Sequence, residues 1–356
     1  MGRPVRLLLV GFGAANQAVL RLALTKPWLE VQGIVVRSKQ RDGEMAAQSV
    51  SGAPPQLRCT TDLASALESP SPDIAIVATA TRLRDVLPVL ETIARARVPI
   101  LCTAEDLAHV ESTDADSGAR IHALALDCGV PIVATGANPG FVLDLLPLTL
   151  CGIAWDVRRL SATRIVDVSV FGPRVRRSLG IDVTRESFTA GLADGRIVGH
   201  AGFPESLRNL ASHMGRRLER IEVRSDPIIA KRPYILTDGT VIEPGRTVGA
   251  NQEATGWWRG EPWLRLTMTI HVAPAEDDLT PIDRVHIEGL HEVTVTVEPG
   301  FRALLSTAAM IVNSIPPALR AEPGVYGPGD LPLVTAWLAT DPPALGLRRA
   351  RAPAPR

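Results

Sequence analysis

The chain has 356 residues, enough for two domains and a sizeable core. Its 38 basic and 38 acidic side chains cancel to a formal net charge of zero, so no long-range field favours nucleic acid or an anionic membrane surface. There is no apolar run of about 18 residues, and Cys59, Cys102, Cys128 and Cys151 lack Cys-x-x-Cys spacing. Neither a zinc site, any other metal site nor a disulfide framework is expected, and the thiols read as free in a reducing compartment, the cytoplasm.

In chain order, the branched apolar run Val5 to Val10 predicts a buried strand that stops at Gly11-Phe12-Gly13. A helical repeat through Ala18, Leu20, Leu22 and Leu24 follows over 14–26. A bare Gly-x-Gly is often only a turn, but strand, glycine turn and helix in this order open a dinucleotide-binding unit. Gly11 permits the turn and Gly13 admits a pyrophosphate close to the backbone. The helix start, with Phe12, Ala14, Ala15 and Asn16, offers N–H donors there. Asn16 stands where a third glycine is usual.

Further strands are predicted at 31–37, 73–79, 98–102 and 131–135. Helices are predicted at 62–68, 83–96, 104–109 and 117–128. Such alternation, with short apolar strands, predicts an α/β fold with a doubly wound parallel sheet buried on both faces. Ligands in these sheets lie beyond the carboxyl ends of the strands. That directs attention to Gly11–Asn16, Arg37–Arg41, Thr79-Ala80-Thr81-Arg82, Thr103–Asp106 and Gly136–Phe141. The second strand ends without the acid that would hold the ribose hydroxyls of NAD. It offers Arg37, Ser38, Lys39 and Arg41 instead, groups suited to a 2′-phosphate, although a solvated basic loop has the same composition. NADP is the expected cofactor, with NAD possible.

From about residue 160 the texture is α+β. Strands are expected at 160–171, 219–224, 246–252, 263–273 and 284–298, largely antiparallel, with helices at 187–193 and 204–214. Residues 303–319 form an apolar helix stopped by Pro316-Pro317. The expected division is 1–150 for cofactor binding, 151–302 for substrate and dimerisation, 303–340 packing back on the first domain, and a disordered tail 341–356.

Several side chains carry two readings. Thr103 looks like an N-cap with Asp106 three residues later, so Glu105 either favours a helix start or faces the nicotinamide crevice. Asn138-Pro139 is an ordinary turn dipeptide, or Asn138 contacts cofactor or substrate while Phe141 supplies an apolar wall. Asp167 and Phe171 fall on one face of the 160–171 strand and point to substrate or core. His200 is as readily structural as substrate-binding. Trp257, Trp258 and Trp263 suit a core or a dimer interface.

Five segments then occur in one order: the glycine turn, Thr103-Ala-Glu-Asp-Leu, Thr135-Gly-Ala-Asn-Pro-Gly-Phe-Val-Leu-Asp, Gly199-His-Ala-Gly-Phe-Pro-Glu-Ser and Ala308-Ala-Met-Ile-Val-Asn-Ser-Ile-Pro. Together they resemble the 2,4-diaminopentanoate dehydrogenase family, which includes the native amine dehydrogenases and is distantly related to dihydrodipicolinate reductase. The resemblance runs from residue 5 to about 333; the His-His-x-x-Lys-type motif of the reductase is missing. It implies a Rossmann domain, an α/β substrate domain and a dimer; the apolar helix 303–319 and the tryptophan-rich strands lead to the expectation of a two-fold homodimer built mainly by the C-terminal half, with the active site between the domains of each chain. It also implies NAD(P)-dependent interconversion of a primary amine with a small ketone or aldehyde plus ammonia. The resemblance makes Glu105 the acid/base and sets the loop with Asn138, Pro139 and Phe141 at the site. Two other readings share the fold: an NADPH-dependent imine or carbonyl reductase that uses no ammonia, and a non-catalytic NADP-binding sensor.

Overall fold

The computed structural model describes residues 3–68, 70–113 and 115–340; the tail expected to be disordered lies outside them. The chain forms two compact units, one made of residues up to Phe141 together with those from Leu304 onward, the other Val142–Ala303.

In the first unit, β1 (Val5–Val10), β2 (Leu29–Val35), β3 (Cys59–Thr60), β4 (Ile74–Val77), β5 (Ile100–Cys102) and β6 (Pro131–Ala134) are joined by the C-terminal strand Gly324–Tyr326. All pair in parallel, in the order Gly324–Tyr326, β6, β5, β4, β1, β2, β3. The apolar strands dictate this. Side chains alternate faces, so Leu7, Leu9, Ile74, Ile76 and Val133 enter one core while Leu8, Val10, Ala75, Val77 and Ile132 enter the other. Helix Leu83–Arg95 covers the second face with Val86, Leu90, Ile93 and Ala94, a 3.6-residue repeat. The first face is covered by helix Ala14–Ala23 and by Ala308, Ile311, Val312 and Ile315 of helix Ala303–Ala318. That last helix runs through Pro316 and Pro317 instead of stopping at them. Both rings are buried in the final turn. The two-residue β3 and the three-residue C-terminal strand had no sequence signal of their own.

β1 lies between β2 and β4, so successive connections leave it in opposite directions. This is the switch point, and its crevice opens at the carboxyl ends of β1 and β4.

The second unit holds β7 (Arg159–Asp167), β8 (Arg220–Ile229), β9 (Tyr234–Ile235), β10 (Val241–Ile242), β11 (Thr247–Trp258), β12 (Glu261–His271), β13 (Ile282–Glu288) and β14 (Val293–Val297). Six of these form a sheet in the order β14, β13, β7, β12, β11, β8. It is antiparallel except for the β7–β12 pair. The β11–β12 hairpin turns on Arg259 and Gly260, both at positive φ, as a two-residue turn with right-handed strand twist requires. The single strand expected over 284–298 is instead the hairpin β13–β14. Its turn includes Gly289, where a Cβ would stand 2.4 Å from the Asp156 carbonyl oxygen. Among the described residues, no helix is long and apolar enough to cross a membrane, and no His, Cys, Asp and Glu cluster could hold a metal ion.

Candidate active site

The glycine turn follows β1 directly. Gly11 has φ +86°, and a Cβ there would stand 2.5 Å from the Ala78 carbonyl oxygen and 2.9 Å from Thr79 Cγ2. The loops after β1 and β4 therefore touch, and only glycine allows it. Gly13 is the opposite case: its Cβ position is open space. It precedes helix Ala14–Ala23, which has neither a side-chain cap bond nor an acid in its first turn. Half-buried Ala14 and Ala15 lie at that start. An open cradle at an uncapped helix N-terminus fits the pyrophosphate of a dinucleotide.

Three side chains grouped with this turn also brace it. Asn16 is fully buried, and its Nδ2 donates to the carbonyls of Gly11 (2.7 Å), Val10 (3.1 Å) and Ile76 (3.3 Å). The amide thus ties the glycine turn and β1 to β4. Phe12 is 2% exposed, a core side chain. Arg41 forms a two-pronged bond with Glu44 (2.5 and 2.9 Å), donates to the Phe12 carbonyl (3.0 Å) and lies over the Phe12 ring. That bonding holds the Glu44 carboxyl below the usual carboxylate range and raises Arg41. Arg41 braces the turn, leaving exposed Arg37, Ser38 and Lys39 as the groups presented at the end of β2.

Beyond β4 and β5, the segments Thr79–Arg82 and Thr103–Asp106 run side by side. Thr103 N–H donates to the Val77 carbonyl (3.0 Å), and Glu105 N–H donates to the Thr81 carbonyl (2.9 Å). Glu105 is half-buried and opens the 3₁₀ turn Glu105–His109. The residue preceding this turn is Ala104, not Thr103, and it supplies no side-chain cap. Asp106 caps a different helix. Its Oδ2 accepts the Leu83 N–H (2.8 Å) and its Oδ1 accepts Arg82 Nη1 (3.1 Å). The cause is visible in the sequence only afterwards: Arg82 occupies the N-cap position of helix Leu83–Arg95 and has no acceptor to offer.

The loop after β6 closes tightly. A Cβ on Gly140 (φ +139°) would lie 2.1 Å from the Gly136 carbonyl oxygen, and Phe141 N–H reaches the Ala137 carbonyl (3.2 Å). Asn138 and Pro139 form its tip, joined by a cis peptide bond. Two bonds tether the loop to helix Ala303–Ala318: Thr135 Oγ1 to Ser314 Oγ (3.2 Å), and Ala137 N–H to Thr307 Oγ1 (3.4 Å). In the first unit the glycine turn, Thr79–Arg82, Glu105 and Asn138–Phe141 thus follow the carboxyl ends of β1, β4, β5 and β6.

Asp167, Phe171 and His200 belong to the second unit. β7 ends at Asp167, whose Oδ1 accepts the Ser169 N–H (2.8 Å). This side-chain turn breaks the strand, so Phe171 does not share a strand face with Asp167 as the alternation predicts. His200 is buried; its backbone N–H and carbonyl both bond the Gln252 side chain (2.9 and 3.1 Å), and its ring meets Phe203 edge-on. Two quoted motifs also meet. Ser206 and Asn209 donate to the fully buried Asp144 (3.0 and 3.3 Å), so Asp144 serves the scaffold.

A network that sequence reasoning missed adjoins Asp167. His271 is its register partner on β12; Nδ1 accepts the Ala273 N–H (3.1 Å) and Nε2 stands 3.0 Å from Asp277. Asp277 also accepts the Tyr234 hydroxyl (2.6 Å). Burial lowers His271, while burial and Asp277 push Tyr234 up to about 12. Tyr234 lies more than 30 positions before His271 and Asp277 in the sequence, and no spacing links it to them. The tryptophans sit under guanidinium groups: Arg216 over Trp258 (3.8 Å) and Trp263 (4.6 Å), and Arg220 over Trp257 (3.8 Å).

Comparison with known proteins gives one family. Residues 141–344 match the model of the 2,4-diaminopentanoate dehydrogenase C-terminal domain. The chain is 26% identical over 339 residues to 2,4-diaminopentanoate dehydrogenase of Acetoanaerobium sticklandii, covering 93% of this chain and 94% of that one. It is 28% identical over 224 residues to an amine dehydrogenase of Streptomyces virginiae, covering 58% and 61%. Among solved structures, an amine dehydrogenase from Mycobacterium smegmatis has the same fold, with a TM-score of 0.84 at 23% identity over 94% of this chain and 97% of that one. A dihydrodipicolinate reductase from Paenisporosarcina, at 11% identity, has a TM-score of 0.50 over 91% and 98%.

Proposed function

The chain belongs to the 2,4-diaminopentanoate dehydrogenase family, and from that premise we propose that it catalyses reversible reductive amination of a small ketone or aldehyde with ammonia. Membership makes it an NAD(P)-dependent oxidoreductase acting on amines; the ammonia step, the NADP preference and the residue roles are this reading's own. One observation carries it most: Glu105 opens a turn bonded to Thr81, on the same loop whose Thr79 meets Gly11 of the glycine turn. A carboxylate there can do what the chemistry needs.

When bound, the nicotinamide supplies or removes the hydride. The chain's residues do the rest. Gly11, Gly13, Ala14 and Ala15 cradle the pyrophosphate, and Thr79, Ala80, Thr81 and Arg82 line the neighbouring crevice. Asn138 fixes an amide or carbonyl, and Phe141 and Pro139 wall the carbonyl carbon; His200 and Asp167 are the second unit's candidates for substrate contact. Glu105 takes a proton from ammonium, freeing the nitrogen lone pair to attack the carbonyl. It returns that proton to the departing hydroxyl as water leaves, and its charge stabilises the iminium that accepts hydride. Ammonium, carbonyl and hydride thus give neutral amine and water. Since free ammonia rises with pH, activity is expected to favour alkaline conditions.

The test is ammonia-dependent oxidation of NADPH and NADH against a panel of short ketones, aldehydes and keto acids. Oxidation that needs no ammonia would instead mark an imine or carbonyl reductase, and cofactor binding without turnover a sensor. Arg37, Ser38 and Lys39 are assigned to the 2′-phosphate. Arg37→Ala is therefore expected to weaken NADPH by about 1–3 kcal/mol and leave NADH nearly unchanged in fluorescence titrations. Equal losses for both cofactors would contradict the assignment.

The active form is proposed to be a two-fold homodimer built on the second unit. That unit exposes Ile153, Trp155 and Val223, with Trp155 80% exposed, and large apolar side chains of this kind are what a partner copy would cover. Light scattering at micromolar concentration should give twice the chain mass; the monomer mass would refute it.

A further inference from the structure

We propose that Asp106 is the positioning residue for Glu105, locking the turn that carries it to the loop following β4; the proposal rests on the reading of Glu105 as acid/base. Helix Leu83–Arg95 takes no side-chain cap from its own N-cap residue, Arg82. The missing acceptor comes from the adjacent loop. Asp106 is 4% exposed, and both its oxygens are engaged: Oδ2 by the Leu83 N–H at 2.8 Å, Oδ1 by Arg82 Nη1 at 3.1 Å. In return, Glu105 N–H donates to the Thr81 carbonyl at 2.9 Å.

The two loops therefore hold each other in both directions within consecutive residues. A cap supplied by the residue before a helix orients only that helix. A cap supplied by the neighbour of Glu105 also fixes where Glu105 starts its own turn. The 3₁₀ turn has few bonds of its own and needs such an anchor. Arg82 and the helix N-terminus meanwhile neutralise the second carboxylate beside Glu105. An acid/base that drifts by about 1 Å loses on the order of 100-fold in rate, so the anchor acts on turnover as well as stability.

The experiment measures kcat, KM for the carbonyl, the NADPH dissociation constant and the melting temperature in four variants: Asp106→Ala, Asp106→Asn, Asp62→Ala and Glu105→Gln. Asp62 is the control, because it caps helix Leu63–Leu67 through the Ser65 N–H at 2.9 Å and touches neither loop. Asp106→Ala is expected to lower kcat about tenfold or more while NADPH binding stays within about twofold. Asp106→Asn keeps an oxygen for Leu83 but sets its amide against Arg82, so it should recover part of the loss. Asp62→Ala should lose stability without losing kcat. The proposal is overturned if Asp106→Ala loses stability alone, with kcat no lower than in Asp62→Ala. If Asp106→Ala does not fold, Asp106→Asn decides: lowered kcat with intact NADPH binding supports the anchor, and unchanged kcat overturns it. A rate loss in Glu105→Gln with none at Asp106 refutes only the anchor. A normal rate in Glu105→Gln refutes the acid/base reading beneath it.

Discussion

Glu105→Gln is expected to bind NADPH as the unchanged enzyme does and to lose roughly 100-fold or more of its reductive amination rate, the usual scale for general acid–base catalysis. Glutamine keeps the size of the side chain and its capacity for hydrogen bonds, and the backbone bond from residue 105 to the Thr81 carbonyl involves no side-chain atom. What disappears is the ability to accept a proton from ammonium and the negative charge facing the iminium. Cofactor affinity should be unmoved, because the cradle at Gly13 and the cations at Arg37 and Lys39 remain intact. Stopped-flow oxidation of NADPH beside fluorescence titration separates the two quantities. Near-normal turnover in the variant would reduce Glu105 to the opening residue of a 3₁₀ turn.

Asp283→Ala is expected to destabilise the protein by about 3–5 kcal/mol, the cost of stranding one member of a buried ion pair. Asp283 and Arg164 are each 2% exposed, with Nε and Oδ1 3.6 Å apart. They grip the same residue from both sides: Asp283 Oδ2 accepts the Phe301 N–H (2.6 Å) and Arg164 Nη2 donates to the Phe301 carbonyl (2.8 Å). Burial pushes Asp283 up and Arg164 down, as expected when desolvation opposes both charges. Removing the carboxylate leaves the guanidinium buried without its counter-charge and frees the backbone where the chain leaves β14 for helix Ala303–Ala318. The double variant Arg164→Leu with Asp283→Leu should cost less than the single change, since no charge is stranded. Urea unfolding measures both. A loss below about 1 kcal/mol in Asp283→Ala, the range of an exposed pair, would contradict this account.

Much of the first unit was legible because a parallel sheet buried on both faces requires continuous apolar strands, and few other structures do. Val5–Val10, Ile74–Val77 and Pro131–Ala134 could hardly be anything else. Their order places the ligand crevice before any side chain is located. What escaped reading depends on partners remote in sequence. Arg41 is legible as a cation after β2, but its bonds to Glu44 and to the Phe12 carbonyl are not. Asn16 looked like a lapse from the glycine pattern until its amide was found bonded to three carbonyls. Asp106 suggests a cap for its own turn, because the helix that it does cap begins 23 residues earlier. Strand ends escaped for a local reason: Asp167 stops β7 with its own side chain, and alternation cannot register that. Glu105 itself is ambiguous from sequence, because its backbone bond to the Thr81 carbonyl, 24 residues earlier, has no local signal.

The most direct test of the central claim follows nitrogen. The enzyme is incubated with NADPH, ¹⁵N-labelled ammonium and the best carbonyl of the panel, and the product is identified by mass spectrometry. The account predicts a primary amine carrying the label, formed one for one with NADPH consumed. An alcohol, or NADPH consumption without labelled amine, would contradict it.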